Sequence, residues 1–317
     1  MPTLSEIRAA RERIAGRIHV TPTVSATRLG QRVNVELVLK CENLQKTGSF
    51  KTRGALNKIS QLSPAERERG VITVSAGNHA QAVAWAARNE GIEATVVMFE
   101  AASPAKVEAS RGYGANVVLF GASGIQSFQK ARELEAERGY TFVHPFDDDL
   151  VAAGAGTVGL ELLEQANDLD VVVIPIGGGG LIAGMLPAIK EQNPRIRVYG
   201  VEPSGASSMR QSLDAGHAVH LQTINTIADG LAAPMAGEIP FEMVKRYADD
   251  VVVIDDDAIV RAVPELLLNT KLLAETAGAA ATAAILTRAI PLRAGERVAA
   301  IVSGGNIDLP KLRGIIA

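Results

Sequence analysis

Val171-Val172-Val173-Ile174-Pro175-Ile176-Gly177-Gly178-Gly179-Gly180-Leu181 decides the fold. The apolar run 171–176 has no polar alternation, so both faces of the strand it forms must be buried. Four glycines then turn the chain into a helical pattern over 180–191. A fully buried strand followed at once by a helix is half of a parallel-sheet unit. Outward from this stretch the same order repeats. Apolar runs at 35–39, 71–74, 94–99, 116–120, 141–143, 198–201, 251–254 and 298–302 predict further buried strands. Helical patterns at 55–62, 80–89, 104–111, 124–138, 157–165, 259–273 and 277–289 fall between or after them. The fold class is α/β, with helices covering mainly parallel sheets.

The composition narrows the function. The chain has 317 residues, enough for two compact domains or one large one, with 47% hydrophobic and 21% charged residues. Its net charge of −3 and 4% aromatic content argue against nucleic-acid binding. Its single cysteine, Cys41, excludes an internal disulfide and a cysteine-based zinc cluster. The first twenty residues read as an amphipathic helix without the apolar core of a signal peptide, and no run is long enough to cross a bilayer. A cytoplasmic protein with no membrane partner is expected.

Four segments could carry chemistry. In Gly177–Gly180, bare backbone leaves N–H groups free to converge on an anion at a helix start, and a phosphate is the natural ligand. A rival reading exists. Gly178, Gly180 and Ala183 fit the dinucleotide pattern G-x-G-x-x-A, and Glu202 closes the next strand where a ribose-binding acid would sit. Gly154, Gly156 and Gly159 form a second, weaker match. On these spans a nicotinamide dehydrogenase is open. The second segment is Gly48-Ser49-Phe50-Lys51-Thr52-Arg53-Gly54. A lysine between two glycines, near a helix start with its positive dipole end, has the setting that lowers an amine pKa for Schiff-base chemistry. The third is Ser75-Ala76-Gly77-Asn78-His79, a strand-to-helix loop able to hold a carboxylate with backbone N–H groups and small polar side chains. The fourth is Ser303-Gly304-Gly305-Asn306, where a hydroxyl and two glycines let a flat ring approach. Asp147, Asp148 and Asp149 read as a solvated turn or helix cap, and the Ala-rich 277–289 as a core helix.

Taken together, and in their chain order 49–54, 75–79, 177–180 and 303–306, the four segments resemble those of fold type II pyridoxal-phosphate enzymes (tryptophan synthase β-like). The similarity is to the threonine/serine dehydratase and serine racemase branch, and it runs from about Arg13 to Asp308. It implies two domains, a large cofactor-binding one from 1–65 and 148–317 and a small one from 66–147. It implies pyridoxal 5′-phosphate as cofactor, with Lys51 joined to it as a Schiff base and acting as the catalytic base. Gly177, Gly178, Gly179 and Gly180 would hold the phosphate. Asn78 would bond the ring 3′-oxygen, Ser303 would face the pyridine nitrogen, and Phe50 would flank the ring. Ser75, Gly77, Asn78 and His79 would line the substrate carboxylate pocket. A homodimer is usual for such families.

A serine opposite the pyridine nitrogen does not force a proton onto it as a carboxylate would, so expulsion of a β-leaving group competes well. The expected activity is dehydration and deamination of a β-hydroxy amino acid, L-threonine or L-serine, to a 2-oxo acid and ammonia. A bulkier 3-hydroxy substrate and a serine or aspartate racemase are the alternatives within this resemblance. Racemases of the branch carry a serine where Ala76 stands, and alanine has no proton to give. Ala155 replaces a glutamine common in relatives, which would widen a pocket. Relatives that bind a divalent ion pair a glutamate with an acid six residues later; here Glu202 is followed by Ser208, so no metal is expected. Few residues follow Asp308, so a C-terminal regulatory domain and control by isoleucine are not expected.

Overall fold

The computed structural model describes all 317 residues. Ten strands form two sheets: β1 Thr23–Ser25, β2 Glu36–Cys41, β3 Val71–Val74, β4 Ala94–Met98, β5 Asn116–Leu119, β6 Thr141–Phe142, β7 Val171–Pro175, β8 Arg197–Pro203, β9 Asp250–Ile254 and β10 Arg297–Val302. The larger sheet has the order β1-β2-β10-β7-β8-β9, the smaller β5-β4-β3-β6. Every pairing is parallel except β1 with β2. All nine predicted strands form. The antiparallel edge strand β1 has no counterpart in the sequence reading, because three half-exposed residues carry no periodic signal.

The continuous apolar runs have the predicted cause. Val171 and Val173 enter a 32-residue core on one face of the larger sheet, while Val172 and Ile174 enter a 25-residue core on the other. Val298 and Ala300 divide from Ala299 and Ile301 in the same way. The Ala-rich helix Thr276–Leu286 is buried along its length in the first of these cores, as its small side chains allow. A third core of 21 residues covers the smaller sheet and takes in Ile14, Ala55, Leu56, Ile59 and Val151.

Two helix starts lie furthest from expectation. The helix expected from 55 runs Lys51–Ile59, so Lys51 stands in its first turn. The helix expected from 157 runs Asp149–Gln165, capped by Asp148, whose Oδ1 accepts from the Leu150 and Val151 N–H groups. Glycines at 154, 156 and 159 are poor helix formers taken alone. Here they serve close packing: a Cβ on Gly154 would lie 2.6 Å from the Arg53 carbonyl oxygen.

This topology places the four segments. Those following β2, β10 and β7 leave the carboxyl ends of strands adjacent in one parallel sheet. The loop 75–79 leaves the carboxyl end of β3, inside the smaller sheet. Crevices at such strand ends are where open α/β sheets bind ligands.

Candidate active site

The second and fourth segments are joined directly. Ser49 bridges Gly304, and the Phe50 N–H donates to the Ser303 carbonyl at 3.1 Å. Gly48 needs its left-handed φ of 72°, and a Cβ there would meet Asn306 Oδ1 at 2.4 Å. Asn306 Nδ2 donates to the Thr47 carbonyl at 2.7 Å and to Asn78 Oδ1 at 2.8 Å, which brings in the third segment. Asn78 Nδ2 in turn donates to Glu275 Oε1 at 2.6 Å. Both ends of the Asn78 amide are therefore held, and its orientation is fixed.

Lys51 Nζ donates to the Pro145 carbonyl at 2.6 Å and lies 5.1 Å from the centroid of the Phe50 ring. It has no carboxylate partner, and burial lowers its pKa to about 8. Desolvation, rather than the helix dipole expected from the sequence, is the dominant cause. The next residue, Phe146, packs on the glycine segment: a Cβ on Gly178 would lie 2.3 Å from its ring, and one on Gly180 2.9 Å from its Cα. One short stretch, Pro145-Phe146, thus contacts both the lysine and the glycines.

The glycine segment leaves donors free. Gly179 has φ 94° and opens the helix Gly180–Lys190 without a side-chain cap. The backbone N–H groups of Gly177 through Ile182 make no hydrogen bond within the chain, whereas the next one, of Ala183, donates to the Gly179 carbonyl. Six consecutive unpaired N–H groups at a helix start suit a phosphate. At the second segment, the Ser49 hydroxyl is buried without a partner. The residues therefore fit a group that brings an aldehyde to an uncharged amine and a phosphate to a backbone cradle.

The loop 75–79 leaves donors free for an anion such as a carboxylate, with one difference from expectation. Ser75 Oγ accepts from the Gly77 N–H at 3.1 Å, and a Cβ on Gly77 would meet nothing within 4 Å. The Asn78 and His79 N–H groups have no acceptor in the chain. The His79 ring, however, is buried, with Nε2 3.1 Å from the Val143 carbonyl, and burial pushes its pKa down to about 3. His79 thus faces this loop through its main chain.

Glu275 is the residue the sequence reading missed. It directly precedes the Ala-rich helix, whose composition drew a purely packing interpretation. Its carboxyl contacts Asn78, and burial raises its pKa to about 7. Gly304 must be glycine beside it, because a Cβ there would stand 2.3 Å from Glu275 Oε1. Ser303 is buried at the end of β10. Ala155 lies in the apolar core that Phe50 borders. Of the acidic run, Asp148 is the cap described above, and Asp147 Oδ1 accepts from the Ile239 N–H at 3.0 Å.

The dinucleotide reading fails on geometry. Glu202 is fully buried, and its two carboxylate oxygens accept from the Met209 and Arg210 N–H groups, each at 2.8 Å. It caps a helix and is closed to a ribose. Gly154, Gly156 and Gly159 lie inside a buried helix, not in a phosphate loop.

An enzyme class follows from parallel sheets whose strand ends present a buried amine, an anion cradle and a carboxylate loop: one that works through an aldehyde-bearing, phosphorylated cofactor. The chain belongs to the family described as pyridoxal-phosphate dependent enzymes, whose profile matches residues 14–304. It is 44% identical over 316 residues to an L-threonine ammonia-lyase of Thermotoga maritima, covering 100% of this chain and 78% of that protein. A catabolic L-threonine dehydratase of Staphylococcus aureus is 41% identical, with 99% and 92% covered. Among solved structures, maize serine racemase superposes with a TM-score of 0.95 at 40% identity, covering 99% of this chain and 96% of that one. The fold is that of the type II pyridoxal-phosphate enzymes, and the cofactor is pyridoxal 5′-phosphate.

Proposed function

We propose that this protein is an ammonia-lyase that converts L-threonine or L-serine to the corresponding 2-oxo acid and ammonia. The observation that carries this reading is Lys51 Nζ: buried, without an anionic partner, and tied through Pro145-Phe146 to the unpaired N–H cradle at Gly177–Gly180. The names of the two lyase relatives support the same substrate class.

Bound pyridoxal phosphate supplies an electron sink that acidifies the Cα proton of an attached amino acid. Gly177, Gly178, Gly179 and Gly180 hold its phosphate through backbone N–H groups. Asn78, locked between Glu275 and Asn306, presents its amide to the ring 3′-oxygen. Ser303, buried at the end of β10, would face the ring nitrogen, and Phe50 would flank the ring. Ser75, Gly77, Asn78 and His79 receive the substrate carboxylate, the last through its main-chain N–H. Lys51 Nζ, uncharged in part near neutral pH, takes the Cα proton. The β-hydroxyl departs with a proton as water; the enamine product then takes up water and releases ammonia, so amino acid becomes 2-oxo acid plus ammonia. Ala76 places no hydroxyl on its side of the loop to return a proton to Cα, which favours elimination over racemisation.

The two sheets support division into a large unit, 1–65 with 148–317, and a small unit, 66–147, with the site between them. We infer also a homodimer working in the cytoplasm. No helix is long and apolar enough to cross a membrane.

Lys51→Ala tests the reading. Turnover of L-threonine and L-serine should fall more than 1000-fold, and borohydride treatment should no longer fix cofactor mass to the peptide that contains residue 51. Turnover retained in that variant overturns the assignment.

A further inference from the structure

Directly behind the lysine lies a cluster of buried charges that the reaction does not use. Arg53 follows Lys51 by two residues in the same helical turn, so its side chain leaves the opposite face of the helix. It is 0% exposed. Nε and Nη2 donate to Glu42 Oε2 and Oε1, both at 2.8 Å. Nη1 and Nη2 donate to Glu161 Oε1 and Oε2, at 2.6 and 2.8 Å. Nη1 also donates to Thr157 Oγ1 at 3.1 Å. Lys40, also 0% exposed, donates to Glu161 Oε2 at 2.7 Å and balances the charge.

Two bidentate forks pointing to two different elements fix both the rotation and the height of a helix, which a single point charge cannot do. Glu42 follows β2, whereas Thr157 and Glu161 lie on the helix Asp149–Gln165. That helix meets the Lys51 helix backbone to backbone: a Cβ on Gly54 would stand 2.5 Å from the Val151 carbonyl oxygen. It also meets the helix that opens in the glycine cradle, since a Cβ on Gly156 would stand 2.5 Å from the Gly184 carbonyl oxygen. A continuous rigid path thus runs from the amine, through Arg53 and the helix Asp149–Gln165, to the cradle. Buried ion pairs contribute little net stability against apolar packing of equal volume, so the cluster's yield is geometry.

We propose that Arg53 is a positioning residue that, through Glu42, Thr157 and Glu161, sets the place of the Lys51 amine relative to the glycine cradle. This rests on the assignment of Lys51 given above. Arg53→Lys keeps the charge and loses the forks; Thr157→Val removes the Arg53 contact, and the hydroxyl's own bond to the Gly154 carbonyl, with almost no change of volume, and Thr157→Ser restores both. In the holoenzyme, Arg53→Lys should lower kcat for L-threonine at least 10-fold with KM changed less than 3-fold. It should displace the ascending limb of the kcat–pH profile, where Lys51 loses its proton, and slow borohydride fixation of the cofactor to Lys51. Thr157→Val should show the same changes at 3- to 10-fold, reversed in Thr157→Ser, with its melting temperature near the parent's. Wild-type kcat and pH profile in a folded Arg53→Lys overturn the proposal. If that variant does not fold, Thr157→Val decides, and a rate loss that only tracks its unfolded fraction overturns the proposal. Failure of the parent enzyme to fix cofactor on Lys51 would instead sink the Lys51 assignment.

Discussion

At the scale of single residues, the site depends on charges kept out of water. Lys51 is held toward its neutral form because no carboxylate compensates its burial. Glu275 is the mirror case, a carboxyl raised to about 7 by burial and eased only in part by Asn78. The sign of its effect follows from linkage. The folded state binds the Glu275 proton more tightly than the unfolded chain does, so the stabilising contribution is present below the ordinary carboxyl pKa. It is lost as pH rises through about 7. Glu275→Gln should therefore stabilise the cofactor-free protein by about 1–3 kcal/mol more at pH 8 than at pH 5. Urea unfolding at the two pH values measures this, and equal changes at both would show that the carboxyl titrates normally.

At the scale of elements, glycines set distances that no side chain could. Gly178 and Gly180 let Phe146 lie on the cradle, and Gly304 lets Glu275 reach Asn78. Gly178→Ala would drive a methyl group into the Phe146 ring, an overpacking that costs about 1–3 kcal/mol. The ring must yield, and with it Pro145, whose carbonyl holds Lys51. Cofactor affinity, measured by equilibrium dialysis, should fall at least 10-fold together with the melting temperature. A variant that binds cofactor as the parent does would show that Phe146 moves independently of the site.

At the scale of the whole molecule, polar contacts away from the lysine and the glycines also tie the helix beside the smaller sheet to the larger unit. Lys106, on the helix Pro104–Gly112 beside the smaller sheet, pairs with Asp229 at 3.0 Å. Lys311, on the C-terminal helix, reaches the same carboxylate at 3.1 Å. Ser103 donates to Asp308 at 3.3 Å. Asp229 is exposed on its outer side, so the tie contributes no more than about 1 kcal/mol. Asp229→Asn should leave the unfolding free energy almost unchanged yet speed amide exchange in residues 104–112. Unaltered exchange there would mean that the helix is held by apolar packing alone.

The sequence by itself determined nine of the ten strands, their mainly parallel arrangement and the segments from which the candidate site is built. Burial on both faces writes itself into local composition, as at 171–176 and 298–302, and glycine runs at strand ends mark where backbone must approach a ligand. Only the tertiary structure decided which groups meet. Asn78 and Glu275 are 197 positions apart, and Lys51 and Pro145 are 94 apart. It also turned Glu202 into a helix cap, turned the His79 ring inward and made the Gly154 motif a packing surface. Periodicity records what a residue's chain neighbours require of it. A hydrogen-bond partner brought in by the crossing of two helices leaves no trace in that local pattern.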